Sequence, residues 1–354
     1  MKHRIRSTVA IPAILLSMAL GGTAACGGDA VKASSNDKAL DCSTAPAAKG
    51  KPVTIRIAHG KAAEEPVWLM ATMPELTPHQ GKSYDIAMRA YDNSETKLVA
   101  YQAGEVDAVV APSPAVIVGT AKGALDLVAL FTVMQEAGDK AFGTSFVVKR
   151  DSKIKSLADL KGTNIGILDF RSTPDFLARM ALRKAGYKTA DAKFVTLPFP
   201  AQVESLNSGV VDVAAVAEPF ATIAKNSANP PRVLFTARDV TGYAYDQLVL
   251  SVDRKFAAKN LRAVCDFRDD YAKALDWYRK NTDKAKASVA KAGYVKLPLN
   301  VYEQAQDYAR PTRGNFDPSS LEPLMDDMSA VGLLEEKDRV DVDQLFVHGF
   351  TAGN

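Results

Sequence analysis

Short apolar runs alternate along the chain with segments of helical spacing, in an order that predicts two α/β units. Val53 to Ala58 reads as a strand, followed by the polar loop HGKAAEEP and an apolar helix around Trp68. Tyr84 to Tyr91 predicts a second strand and Ser94 to Ala103 a helix. Val106 to Ala111 predicts a third strand, Ser113 and Pro114 open another helix, and LDLVALFTVM supplies a further strand. From about Ser145 the chain passes to a second unit, which holds the buried strand of KSLADLKGTNIGILDF and the helix opened by Thr173, Pro174 and Asp175. RVLFTA adds a strand, and TGYAYDQLVLSVD leads back to the first unit. The remainder from about Lys255 is helical, with Asn300 and Glu303 as an expected capping box and Asp317-Pro318 as a helix start.

The two units echo one another. Leu98 to Ala115 laid over Val203 to Phe220 matches Gly104 with Gly209, Val106 with Val211, Asp107 with Asp212 and Pro114 with Pro219. TIRIAHGK parallels NIGILDFR, and SYDIAMRAYD parallels DAKFVTLPFP, in the same order. Alternating strands and helices argue for largely parallel sheets with helices on both faces. The expected fold is α/β: two doubly wound lobes joined by a two-segment hinge, with C-terminal helices on the first lobe. The boundaries predicted are 53–147 and 249–354 for the first lobe and 148–248 for the second.

Composition narrows the class. The 354 residues suit two domains, and 47% apolar with 24% charged residues is ordinary for a soluble globular protein. Residues 1–25 read as an export signal: a basic start, the apolar run VAIPAILLSMAL and the small residues GGTAA. Without its Lys2, Arg4 and Arg6, 41 basic side chains face 41 acidic ones, so no overall field favours nucleic acid or an anionic membrane. Small residues before Cys26 resemble a bacterial lipobox, which makes Cys26 the expected lipid anchor and the membrane a partner only through that lipid. Residues 26–52 read as a flexible tether, and the protein is expected outside the cytoplasm. Cys42 and Cys265 are the remaining cysteines; a disulfide between them, or simple burial of Cys265 beside Leu261, Val264, Tyr271 and Leu275, both fit.

SLADLKGTNIGI, the helix opened by RSTPDF, and LNSGVVDVAAVAEPF together resemble the substrate-binding lipoproteins of ATP-driven ABC importers, in the branch handling nitrate, sulfonates and taurine. The resemblance covers about residues 53 to 290. It implies a type II periplasmic-binding-protein fold that closes on a small ligand and delivers it to a permease and ATPase encoded separately. The family loop that often reads Gly-Ser-Thr reads Arg171, Ser172, Thr173 here, which adds a permanent charge beside the expected pocket.

In such sheets ligands sit beyond the carboxyl ends of strands, where helix N-termini point free N–H groups outward. Four loops qualify: His59 to Ala62, Pro112 to Pro114, Phe170 to Thr173, and Ala217 to Phe220. Candidate ligand contacts are His59, Gly60, Ser113, Phe170, Arg171, Ser172, Thr173, Glu218 and Tyr243. Ser172 and Thr173 are suited to hydrogen-bond a carboxylate, sulfonate or nitrate that Arg171 neutralises, although Thr173 as a plain cap and Arg171 paired with Asp169 or Asp175 fit the same residues. Ser113 and Glu218 occupy equivalent repeat positions; Glu218 either meets a ligand or caps its own helix. Phe170 and Tyr243 are candidate walls.

The expected activity is capture of a small organic anion by a monomer, without a cofactor or metal. A ligand sensor that does not transport shares all these features. An enzyme is the third class, but no G-x-S-x-G, H-E-x-x-H, C-x-x-C or phosphate loop occurs, and four histidines show no metal-ligand spacing.

Overall fold

The computed structural model describes residues 40–136 and 143–348. The expected export segment, Cys26 and the tether to residue 39 lie outside the described residues.

In chain order, the first part comprises β1 (Val53–His59), α1 (Glu65–Thr72), β2 (Tyr84–Ala90), α2 (Ser94–Gln102), β3 (Ala108–Pro112), α3 (Ser113–Ala121) and β4 (Leu127–Glu136). The second comprises β5 (Thr144–Val148), β6 (Asn164–Ile167), α4 (Thr173–Lys184), β7 (Lys193–Thr196), α5 (Phe199–Ser208), β8 (Val213–Ala217), α6 (Phe220–Lys225), β9 (Arg232–Thr236) and α7 (Ala237–Val240). There follow β10 (Tyr245–Asp253), α8 (Arg254–Lys259), α9 (Leu261–Lys280), α10 (Thr282–Lys291), α11 (Leu299–Tyr302) and α12 (Leu321–Ala330).

Two five-stranded sheets result, ordered β2-β1-β3-β10-β4 and β7-β6-β8-β5-β9. Strands β3 and β8 are buried at every position because helices cover both faces, which removes the two-residue alternation an exposed sheet would show. The sheets are mixed rather than largely parallel. In each, one strand runs against the other four: β10 against β3 and β4, β5 against β8 and β9. These are the strands that enter from the other lobe. A chain that leaves one sheet at its carboxyl edge and enters the facing carboxyl edge of the next must run away from that edge, which reverses its direction.

The crossings lie between Glu136 and Thr144 and between Val240 and Tyr245. Both precede the expected boundaries at 147 and 248, since an apolar run carries no mark of which sheet it joins. Helices α8 to α11 pack on the first sheet, with Phe267, Tyr271, Leu275 and Tyr302 in its core. Helix α12 departs from the expectation that all C-terminal helices stay there. Its Leu321, Leu324, Met325 and Met328 lie in the core of Phe146, Phe176 and Phe235 on the second sheet. The chain then returns, and Phe346 bridges to Ala129 of β4.

The repeat has a physical basis. Asp107 donates its amide to Arg56 O (2.8 Å) and accepts the Arg56 amide on Oδ2 (2.9 Å). Asp212 makes the same pair with Asn164, at 2.8 Å for each bond. Each Asp thus lends a side-chain acceptor to a strand before regular pairing begins. Gly104 and Gly209 precede them at φ 71° and 81°, a left-handed geometry that a Cβ disfavours.

The expected capping box at Asn300 does not form: α11 begins after Pro298, which places Asn300 inside the helix. Asp317 does cap its turn, accepting the Ser319 amide. Cys42 and Cys265 form a disulfide, and Cys265 is also buried in α9, so both sequence alternatives hold together. The buried Arg310 pairs with Glu65 at 2.6 Å and donates to Ala63 O (3.0 Å) and Val133 O (2.9 Å). With its donors so occupied, it pins the start of α1 against β4 and fixes the loop from Gly60 to Glu64 at the cleft.

Candidate functional site

Between the facing carboxyl edges lies a cavity of about 280 Å³, near the lower end of the range for small-molecule sites. Every one of the four expected loops contributes to its wall: Gly60 to Glu64 after β1, Pro112 at the end of β3, Ser172 to Pro174 at the start of α4, and Ala217 with Phe220 around the start of α6. The crossing strands add Met134, Thr144, Gln247 and Leu248, while the starts of α2 and α5 bring Ser94, Lys97 and Phe199. Most of this wall is apolar, with a few polar groups converging on it.

Of the candidate residues, Gly60, Ser172 and Thr173 line the cavity. The Gly60 amide donates to Glu64 Oε1 at 2.7 Å. Ser172 caps α4 by accepting the Asp175 amide and donates its hydroxyl to Asp169 O at 2.6 Å. Thr173 Oγ1 accepts a hydrogen bond from Gln247 Nε2 of β10, across the cleft.

The other candidates are engaged elsewhere. His59 is buried behind the wall, its Nδ1 2.8 Å from Gly60 O and 3.2 Å from Trp68 Nε1; burial lowers its pKa. Ser113 donates its hydroxyl to Asp246 O. Glu218 accepts the Thr222 amide at 3.2 Å, capping its own helix, and burial raises its pKa. Tyr243 donates to Asp327 at 2.9 Å. The Phe170 side chain is exposed. Arg171 is exposed too, and its amide donates to Asp175 Oδ2 at 2.7 Å. At φ 65° Arg171 occupies the left-handed region, so a glycine there would relieve the backbone.

The charged centre of the cavity is Lys97, one turn into α2 and only 4% exposed. Its Nζ forms a buried ion pair with Glu64 Oε1 at 3.6 Å, longer than a hydrogen bond. Burial pushes the Glu64 carboxyl up to about 7, with Lys97 and the Gly60 amide pulling the other way. Burial likewise raises the pKa of Asp169, against hydrogen bonds from Glu95, Ser172 and Ser94 and the charge of Lys97.

Several bonds join the lobes around this centre. Asp169 Oδ2 accepts the amides of Ser94 (2.8 Å) and Glu95 (3.2 Å) at the start of α2. Tyr308 donates to Glu218 O, and Asn226 Nδ2 lies 3.1 Å from Gln304 Oε1. Together with the Gln247–Thr173 bond they hold the lobes shut over the cavity.

Lys97 and Glu64 are the residues sequence reasoning missed. Extending the repeat by one residue sets Lys97 opposite Gln202, which is wholly buried and donates to Ile167 O and Leu197 O. A polar residue at that inward position in both copies was the available signal. Glu64 stands in a run of polar residues whose composition says loop, and nothing local marks its burial. Among the described residues no group of three or more His, Cys, Asp or Glu is placed to hold a metal ion, and no helix is long and apolar enough to cross a membrane.

Comparison with known proteins agrees with this architecture. A family model described as "NMT1/THI5 like" matches residues 82–285, more than half of the chain. No curated protein matches the sequence. Among solved structures, the periplasmic aliphatic sulphonate binding protein SsuA from Escherichia coli aligns with TM-score 0.67 and 23% identity, over 86% of this chain and 94% of that one. The alkanesulfonate-binding protein SsuA from Xanthomonas axonopodis pv. citri, bound to MOPS, aligns with TM-score 0.61 and 18% identity, over 84% and 98%. The desulfurization enzyme DSZB aligns with TM-score 0.60 and 16% identity, over 84% and 96%. These likenesses place the chain in the periplasmic-binding-protein fold, which carries both binding proteins and an enzyme.

Proposed function

The chain belongs to the NMT1/THI5-like family, and from that premise we propose that it is an extracytoplasmic solute-binding protein that captures a small organic anion and presents it to the permease of an ABC importer. The observation that carries this is the buried Lys97 ammonium, paired with Glu64, at the wall of a mostly apolar cavity between two lobes. An ammonium held in low dielectric attracts an anion far more strongly than one in water. Ser172 and Thr173 at the start of α4 face the same space, so a carboxylate, sulfonate or nitrate there meets a positive charge and the favourable end of a helix.

Binding without turnover is supported by His59 and Ser113 being held in other bonds and by both described cysteines being joined in a disulfide. The lipobox-like sequence before Cys26 supports tethering to the outer face of the cell membrane through a lipidated Cys26, with the chain acting as a monomer. Titration calorimetry with carboxylates, sulfonates, nitrate and amines tests the assignment. At least one anion binds at one site per chain and is recovered unchanged; binding only of cations or neutral sugars, or conversion of the ligand, overturns it.

A further inference from the structure

As an ion pair in the cavity wall, Lys97 and Glu64 carry no net charge between them, and both are buried, at 4% and 1% exposed. The two Glu64 oxygens differ. Oε1 accepts the Gly60 amide at 2.7 Å, whereas Oε2 is buried and has no hydrogen-bond donor in the protein. A buried carboxylate oxygen without a donor is an unfavourable place for negative charge and a ready place for a proton.

We propose that Glu64 takes up a proton when an anion enters the cavity, so that the protein captures its ligand together with H⁺. The inference rests on the solute-binding function argued above and concerns the same cavity. An anion drawn to Lys97 shares the ammonium that Glu64 otherwise holds alone, and it sets a second negative charge near the carboxylate, in a medium where like charges repel strongly. A proton passing from water to Oε2 makes Glu64 a neutral acid. One positive charge then faces one negative charge, and the guest needs no contact with Glu64.

The surrounding groups single out Glu64 as the one that responds. Glu65, the next residue, pairs with Arg310 at 2.6 Å and accepts the Tyr302 hydroxyl at 2.9 Å, and its charge adds to the repulsion on Glu64. Lys61 on the same loop is exposed and paired with Asp92. Burial, aided by the charge of Lys97, lowers the pKa of His59 on β1, so this ring brings no charge at neutral pH. Asp169 on the second lobe also feels Lys97, but two amides at the start of α2 hold its charge, where Glu64 has one. Burial already lifts the Glu64 carboxyl to about 7. A guest anion lifts it further, and between the two values binding draws a proton from solution.

The test is calorimetry with methanesulfonate, ethanesulfonate, benzenesulfonate and nitrate, none of which titrates near neutral pH. For the tightest binder, heats measured at pH 8 in phosphate and in Tris, which differ in their own heats of protonation, report uptake of about half a proton or more per anion. Affinity falls about tenfold between pH 6 and pH 9. In Glu64→Gln the uptake vanishes and affinity no longer varies with pH, whereas Asp169→Asn keeps the uptake. Should Glu64→Gln not fold, uptake by wild type that survives in Asp169→Asn supports the assignment. No uptake by wild type, uptake that persists in Glu64→Gln, or uptake lost in Asp169→Asn overturns the role of Glu64 and leaves solute capture standing. No binding of any of these anions to the folded wild-type protein overturns anion capture itself, and this inference with it.

Discussion

Asp169 Oδ2, carried by the second sheet, lies 2.8 Å from the amide nitrogen of Ser94 at the start of α2 on the first. A carboxylate from one lobe therefore fills the N-terminus of a helix on the other, where the helix dipole favours negative charge. Hydrogen bonds to a charged group contribute roughly 1.5–3 kcal/mol. Asp169→Ala removes that contribution from the closed form alone and shifts the ligand-free protein toward an open one. Small-angle scattering then shows a larger radius of gyration than wild type. Anion affinity falls about 10- to 100-fold, since only the closed population holds the ligand. Unchanged scattering and affinity would show that the bond contributes nothing to closure.

Glu136, at the end of β4, is 1% exposed; its Oε2 accepts the Gly143 amide at 2.7 Å and its Oε1 has no partner. Burial pushes this carboxyl from 4.5 up to about 7. A raised folded-state value means that the folded protein holds the proton more tightly than the unfolded chain. The associated stability is present in full below pH 4.5 and is lost as pH rises through about 7, a change of up to about 3 kcal/mol. In urea titrations at pH 5 and pH 8, Glu136→Gln gains stability relative to wild type at the higher pH. An equal difference at both values contradicts the shift.

The disulfide between Cys42 and Cys265 closes a loop with a sequence separation of 223. It restrains the unfolded chain and staples residues 41 to 44 to α9, next to the bridge between Asp41 and His348. Replacing both cysteines by alanine lowers unfolding stability by roughly 2–5 kcal/mol, measured by urea unfolding. Identical midpoints for the oxidised wild type and the variant would mean that the bridge is energetically neutral.

The fold was legible where the sequence repeats itself. Gly104 with Gly209 and Asp107 with Asp212 mark the same turn and the same strand start in each lobe, and hydrophobic runs locate the strands around them. Strand direction was not legible, because β5 and β10 are reversed by entering from the opposite lobe, a tertiary event without a local signature. The destination of α12 was hidden for a similar reason: an amphipathic helix fits either core.

At the site, general rules about strand ends and helix starts located the four loops, whose backbone is fixed by topology. They did not locate the side chains. Arg171 points out of a left-handed turn, and Ser113 and Glu218 bind backbone close to them in space, whereas Lys97 reaches the cavity from within a helix. Charge near a loop in sequence says little about charge buried in a cleft.

The central claim is that Lys97 receives the anionic group of a ligand enclosed between the lobes. A crystal structure of the protein with its tightest-binding anion tests this most directly. The ligand's anionic oxygen is predicted about 2.8 Å from Lys97 Nζ, with Thr173 or Ser172 on its other side and both lobes in contact with it. An anion seated outside the cleft, or inside it with Lys97 still paired only to Glu64, would contradict the account.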